Sequence, residues 1–309
     1  MNALNVKPVV TCSVCCTAGA RAGVPEIVSV PSNVRRFQGK AFPVWRCRDC
    51  GSIHAAREVD LNAAYQNYPF HAEPRLDWRL RLLYRNQLRR LKAAGLKRDM
   101  RILDYGCGSG AFVAYLKLRG YAQAVGFDRF NPDFSSPSVL WPRFDMIVAQ
   151  DVIEHTANVV GFMRDLTRLL IPGGVLVIGT PDAAAIDLGT PAAFVHTLHQ
   201  PFHRKILSLR ALLVLGYRNG LTLERLYRTM YVNTRVPFLN ERFMAHYVQC
   251  ADNTLDAAFE TIRVTQRRLW TWKALFLAFF GSFFSRKTDV TAVFRRADGL
   301  APAADRARR

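Results

Sequence analysis

The chain has 309 residues, half of them apolar and 22% charged, enough to bury one large core or two modest ones and too apolar for a disordered protein. Forty-three Lys and Arg against 24 Asp and Glu leave a formal net charge of +19, which favours phosphate-rich partners or an anionic membrane surface and says nothing about fold. The first twenty residues lack the charged start and apolar run of a secretory signal, and the longest apolar run, residues 269–284, contains Lys273 and falls short of the roughly 20 residues a bilayer-spanning helix needs, so the expected location is cytoplasmic.

Residues 1–60 hold five of the seven cysteines, Cys12, Cys15, Cys16, Cys47 and Cys50, with Pro8, Pro25, Pro31 and Pro43 and no long helical period. This reads as a small, loop-rich module. The Cys12-x-x-Cys15 and Cys47-x-x-Cys50 knuckles can give four thiolates tetrahedrally to a structural zinc, although 31 residues separate them, and Cys16 can replace Cys15. Residues 61–98 form a linker built on an amphipathic helix at 74–94, where Leu80, Leu83, Leu88 and Leu91 recur among Arg79, Arg81, Arg85, Arg89 and Arg90. Its arginines read as a solvated face before a nucleic-acid stripe.

Beyond residue 98 short apolar runs alternate with helical segments, the pattern of a parallel sheet covered by helices, in an α/β domain spanning 99–300. Strands are expected at 101–105, 124–128, 145–150 and 175–180, and helices at 110–119, 158–170 and 209–219, the last capped by Ser208. Two further β-like stretches, 223–232 and 289–295, would close the sheet, with residues 234–288 inserted between them as a cover. Residues 301–309 read as a disordered tail.

The strongest local signal is the strand that ends in Asp104 and runs through Gly106, Gly108 and Gly110 into a helix. Glycines let the chain turn sharply and bring its backbone against a ligand, while the helix N-terminus offers unpaired N–H groups, so a nucleotide-like ligand is implied. The string also satisfies a dinucleotide fingerprint through Gly106, Gly108, Ala111 and Asp128. Asp104, however, would repel a pyrophosphate and attract the amino end of a zwitterionic cofactor, which favours S-adenosylmethionine over NAD. Two features follow in order: an apolar strand ending in Gln150 and Asp151 ahead of Glu154-His155, and a helix that stops at Pro172-Gly173-Gly174 before a buried strand.

Together these features resemble the class I S-adenosylmethionine-dependent methyltransferases, with their Rossmann-like sheet, over about residues 98–232. The resemblance implies that Asp104, Gly106, Gly108 and Gly110 hold the methionine part of the cofactor, that Asp128 accepts from the ribose hydroxyls, and that Gln150 and Asp151 line the strand end beside the methyl group. One departure stands out. Only 15 residues separate Asp128 from Phe144, where the family fits a helix and a third strand, so this region must be a shortened connection with 139–141 as a vestigial strand. Phe130 and Trp141 would cover the adenine or simply pack in the core. A four-cysteine ribbon, a linker helix and such a domain resemble bacterial small-molecule methyltransferases, including those acting on nucleotide-linked sugars, but the chain is too short for the extra C-terminal domain of the sugar C-methyltransferases.

His196, His199 and His203 lie in the connection after the fifth strand of that fold, on the ligand-binding edge of an open α/β sheet. A neutral imidazole there can take a hydroxyl proton, and His203, in a string shared by many relatives, is the first choice and His199 the second; anchoring a loop is the plainer role for either. Glu154-His155 resembles the pair of quinone-biosynthesis O-methyltransferases, where it holds a divalent cation, and also fits a plain post-strand turn. The aromatic run near 269–287, flanked by Arg267, Arg268, Arg286 and Lys287, reads as core, as a cover over the acceptor, or as an interfacial helix on an anionic membrane. The expected activity is methyl transfer to an oxygen of a small or lipid-linked acceptor. RNA methylation, suggested by the charge and the ribbon, ranks lower because no Asn/Asp-Pro-Pro-Tyr/Phe motif ends the fourth strand and no Cys lies there to attack a pyrimidine; a non-catalytic binding module ranks below that.

Overall fold

The computed structural model describes residues 11–15, 26–57, 59–60, 65, 76–141, 143–258 and 271–298; Cys16 and the tail 301–309 lie outside them. In chain order, strands β1 (Ile27–Pro31), β2 (Ala41–Arg46) and β3 (Ile53–Ala55) form an antiparallel meander. Helix α1 (Trp78–Ala93) leads into β4 (Ile102–Tyr105), α2 (Ala111–Leu118), β5 (Ala124–Phe127), β6 (Phe144–Gln150), α3 (Val159–Leu169) and β7 (Leu170–Pro181). After these come the single-turn α4 (Val195–Leu198), β8 (Lys205–Ile206), α5 (Leu209–Arg218) and β9 (Leu221–Tyr227), then α6 (Glu241–Ala251), α7 (Trp272–Phe280) and β10 (Asp289–Arg296).

The main sheet has the order β5-β4-β6-β7-β10-β9, with β5, β4, β6 and β7 parallel and β10 running antiparallel to both its neighbours. Its strands alternate faces. Met146, Val148, Val175 and Val177 pack with Leu88 and Leu91 of α1 and Phe112 and Leu116 of α2 on one side. Ile147, Ala149, Leu176 and Ile178 pack with Met163 and Leu166 of α3 and Leu212 and Leu215 of α5 on the other. Apolar residues on both faces are what a sheet covered by helices on each side requires, and they explain why these strands read as continuous apolar runs. The chain leaves β4 toward β5 on one side and returns to β6 on the other, so a crevice opens at the carboxyl ends of β4 and β6.

Helix α1 begins where Asp77 accepts a hydrogen bond from the Leu80 amide at 2.9 Å, and its Arg79, Arg81, Arg85 and Arg89 are exposed, the solvated face expected from the sequence. Arg90 differs: it donates to the Thr229 and Met230 carbonyls and lies 4.7 Å from the centre of the Tyr227 ring. Among the described residues the shortened third-strand region holds no strand. Pro132 and Pro137 each start a 3-10 turn, Pro132–Phe134 and Pro137–Leu140, because proline fixes the turn φ and cannot donate to a ladder. The vestigial strand expected at 139–141 is therefore corrected to a turn, and Trp141 is 87% exposed rather than in the core or on the cavity wall.

Helix α3 hands over directly to β7 at Leu170, so Pro172-Gly173-Gly174 lies inside an irregular strand start instead of in a helix-ending loop. The two late β-like stretches do close the sheet, as β9 and β10, though β9 ends at Tyr227.

The N-terminal meander gains a fourth strand from far along the chain: β8 pairs antiparallel with β3 through Ile53↔Ile206 and His54↔Lys205. Arg46 reinforces the join by donating to the Ala183 and Ile186 carbonyls after β7. Val30, Val44 and Ile53 bury against Ala183, Ile186, Leu198 and Ile206. The loop that carries the three histidines is thus gripped by the N-terminal module.

Candidate active site

The turn after β4 is built from three positive-φ glycines, Gly106 (78°), Gly108 (55°) and Gly110 (75°). A Cβ on Gly106 would stand 2.3 Å from Val152 Cγ2, and one on Gly110 would stand 2.2 Å from Phe134 Cζ, so backbone conformation and space both demand glycine there. Gly110 caps α2 behind the wall of the crevice, while Gly106 and Gly108 line it. Asp128, at the end of β5, accepts from the Gly108 amide at 2.9 Å and the Phe130 amide at 2.8 Å, which fixes its carboxylate against the glycine turn.

These groups open onto a cavity of about 850 Å³ that also contains Asp104, Gln150, Asp151, Glu154, His155, His199 and His203. Apart from Gly110 and Trp141, the residues singled out from the sequence as glycine-turn, cofactor and proton-acceptor groups share one cavity. Its floor is rich in desolvated carboxyls. Burial, helped by the charge of Asp128, pushes Asp104 up to about 7; burial pushes Asp151 up to about 6 against a hydrogen bond from Gln150. Burial followed by the charge of Asp151 holds Glu154 well above the usual range and Asp289 at about 7. Such a floor suits a cationic ligand, whose charge would let the carboxyls ionise.

A pH dependence follows. A carboxyl raised in the free protein and lowered by a bound cation releases its proton on binding, so affinity for an ammonium-bearing ligand must fall as pH drops below about 7 and level off above it. Titration calorimetry with S-adenosylhomocysteine across pH 6 to 8 should show a loss approaching tenfold, at roughly one proton per site; a flat profile would contradict a role for Asp104.

The histidines line the same cavity. The His203 Nδ1 is 2.8 Å from the Thr197 carbonyl, so it carries the proton and leaves Nε2 with its lone pair. That Nε2 is 3.9 Å from Glu154 Oε1, a fully buried oxygen without a hydrogen-bond partner among the described residues, while Glu154 Oε2 accepts from Thr180 at 3.0 Å. Burial, with His155 nearby, keeps His203 and His199 well below the usual histidine range, hence neutral. Glu154, His155 and His203 bring one ligand atom each within 4.8 Å of one another, a donor set that suits a divalent cation or a shared proton.

Two residues of this site carried no sequence signal. Asn33, fully buried between β1 and β2, accepts from His199 Nδ1 at 2.8 Å and donates to His196 Nδ1 at 3.1 Å. Tyr65, in the segment read as linker, places its hydroxyl 2.7 Å from His155 Nδ1 and stacks its ring on Phe130 at 4.2 Å. Neither belongs to a motif, because each acts through a contact that only the folded chain creates.

In the N-terminal module Cys12, Cys15, Cys47 and Cys50 bring their sulfurs within 4.8 Å of one another, with Cys12–Cys50 at 3.7 Å and Cys15–Cys47 at 3.8 Å. The edge of a tetrahedron with zinc–sulfur bonds of about 2.3 Å is about 3.8 Å, so the donor set fits that ion. His54 Nε2 lies 3.2 Å from Cys12 Sγ, and burial holds His54 down at about 4, which leaves a neutral ring N–H for the sulfur.

Residues 77–226, which carry the glycine turn and the crevice at the sheet's switch point, match the family model described as "Methyltransferase domain". The chain is also similar to ubiquinone biosynthesis O-methyltransferases. That of Parvibaculum lavamentivorans is 28% identical over 102 residues, 26% of this chain and 40% of that enzyme. That of Bradyrhizobium diazoefficiens is 29% identical over 101 residues, again 26% and 40%. The matches thus span about 40% of the length of these curated relatives. An S-adenosylmethionine-dependent methyltransferase from Mesorhizobium loti superposes with a TM-score of 0.41 at 14% identity, over 68% of this chain and 98% of that one.

Proposed function

We propose that the protein transfers a methyl group from S-adenosylmethionine to an oxygen of a small, lipid-linked acceptor. One observation carries the reading: a single cavity joins the Asp104–Asp128 glycine turn to a neutral, deprotonated His203 Nε2. The cofactor, when bound, supplies an electrophilic methyl on a sulfonium that leaves as a neutral thioether, so little acid catalysis is needed. The protein's own tasks are to align, to exclude water and to take one proton.

Asp104, Gly106 and Gly108 would hold the methionine end, with Gly110 keeping the turn in shape. Asp128, held against the turn by the Gly108 and Phe130 amides, would accept from the ribose hydroxyls. Gln150 and Asp151 would face the methyl group. His203 Nε2 would accept the acceptor's hydroxyl proton as the oxygen attacks, and the carboxyl of Glu154 beside it would steady the imidazolium. His199, tied to Asn33, would orient the loop. A divalent cation on Glu154, His155 and His203 would occupy the lone pair the base needs, so the two roles exclude each other at His203.

The domain division follows the same reading: a zinc ribbon over 1–60, a helical linker over 61–98, and a transferase domain over 99–300 whose cover, 234–288, includes α6 and α7. A structural zinc on Cys12, Cys15, Cys47 and Cys50 completes it. The similarity to enzymes named for ubiquinone biosynthesis supports a lipid-linked acceptor over RNA. Calorimetry tests the cofactor half: S-adenosylhomocysteine should bind and NAD should not, and Asp128→Ala should weaken the former by about 1 to 3 kcal/mol, the range for a hydrogen bond to a charged group. Tight NAD binding, or an Asp128→Ala protein with undiminished affinity, would overturn it.

A further inference from the structure

Helix α7 and the 3-10 turn that follows it, Gly281–Phe284, present Trp272, Phe276, Phe279, Phe280, Phe283 and Phe284 to the outside, Trp272 at 88% and Phe283 at 65% exposure. A folded chain seldom leaves so many large aromatics together in water. The opposite side of α7 is satisfied, since Leu277 and Ala278 pack on Phe243 of α6, and Asn240 donates to both their carbonyls. The aromatics are therefore a second face and not a misplaced core.

The charges around that face are mostly positive, with Glu241 the acid that accepts from Ser285 and the Arg286 amide at its end. Residues 271–288 contain Lys273, Arg286 and Lys287 and no acid. Arg235 sits with its guanidinium 5.7 Å from the Phe283 ring centre. Arg235, Lys273 and Lys287 are exposed and have no acidic partner among the described residues. Aromatic rings ringed by unpaired cations match the headgroup region of an anionic bilayer, where the rings enter the acyl boundary and the cations meet phosphates.

The face also adjoins the cavity. Met244, Ala245 and Val248 of α6 line the cavity, and Met244 packs against the same Phe243, Leu277 and Ala278 cluster that supports α7. Arg286, at the end of the aromatic hairpin, lines the cavity as well and donates to the Ala193 carbonyl at 2.6 Å.

We propose that the face formed by α7 and residues 281–287 docks on an anionic phospholipid surface and sets the cavity mouth against it. The docking stands on the face alone; its use, delivery of a lipid-linked acceptor into the cavity from the bilayer, rests on the methyl-transfer reading. Sedimentation of the full chain with phosphatidylcholine vesicles, with and without phosphatidylserine, tests it. Binding should be at least about tenfold stronger with phosphatidylserine and should weaken with added salt. The triple variant Phe276→Ser, Phe279→Ser and Phe283→Ser should lose vesicle binding while its S-adenosylhomocysteine affinity stays at the wild-type value. Should that variant fold poorly, Lys273→Glu with Lys287→Glu tests the cationic rim, with the same expected loss. Three results would overturn the proposal: no binding to either vesicle, undiminished binding by folded variants, or a wild-type dimer that the serine substitutions turn into a monomer. Vesicle binding that fails while S-adenosylhomocysteine still binds removes the docking alone; the reverse outcome removes the methyl-transfer reading and leaves the docking in place.

Discussion

Replacing His203 with alanine should lower turnover by roughly 10²- to 10⁴-fold while leaving S-adenosylhomocysteine affinity nearly unchanged. The split follows from where the ring sits. Its Nδ1 is committed to the Thr197 carbonyl and its Nε2 faces Glu154, whereas the glycine turn and Asp128 are held by hydrogen bonds of their own. A base acts only as the proton moves, so its loss shows in turnover and not in cofactor binding. Were His203 only an anchor for its loop, the substitution would lower the unfolding temperature and reduce cofactor affinity and turnover together. His199→Ala should resemble that second pattern, because the His199 ring is held by Asn33 rather than turned toward an unpaired acid. Adding magnesium separates the base from a cation site: turnover through a His203 base needs none, whereas a cation on Glu154, His155 and His203 would make turnover depend on it.

Loss of the zinc ligand set should have the second large effect. Elemental analysis should return about one zinc per chain, and Cys47→Ser should cost much of the module's folding energy, because metal binding to four thiolates supplies it. The damage should not stay in the module. Ser208 donates to the Cys50 carbonyl, β8 pairs with β3, Ser32 donates to the Gln200 carbonyl, and Asn33 holds His196 and His199. Turnover should therefore fall in step with zinc loss. Affinity for S-adenosylhomocysteine, set by the turn after β4 and by Asp128, should fall less. Protein purified without chelator that contains no zinc would defeat this account, and so would a Cys47→Ser protein with wild-type stability.

Several parts of this arrangement were legible in the sequence because their physics is local. Glycines spaced as Gly106, Gly108 and Gly110 announce a turn that no other residue can make, and Asp128 follows at the end of the next apolar run. The Cys12-x-x-Cys15 and Cys47-x-x-Cys50 knuckles announce thiolates that can converge. The parallel strands announced themselves as apolar runs because both their faces are covered. What stayed hidden depends on contacts distant in sequence. Strand β8 is two residues long and becomes a strand only through β3. Asn33 and Tyr65 matter because the N-terminal segments fold across the histidine loop, 166 residues away from Asn33 in the case of His199. Between β5 and β6 the shortage of residues was plain, yet the prolines there favoured two 3-10 turns over the vestigial strand. Trp141, read as core or adenine cover, ended on the surface at the far end of that connection, whereas Arg129 and Phe130 at its start line the cavity.

The most direct test of the account is transfer of radiolabelled methyl from S-adenosylmethionine by the purified, zinc-loaded chain to acceptors presented in parallel as quinols, sugar nucleotides, glycolipids and RNA. Label should appear in a hydroxyl-bearing, lipid-linked acceptor and nearly disappear with His203→Ala. Label in RNA alone, or no transfer to any class from a protein that binds S-adenosylhomocysteine, would contradict it.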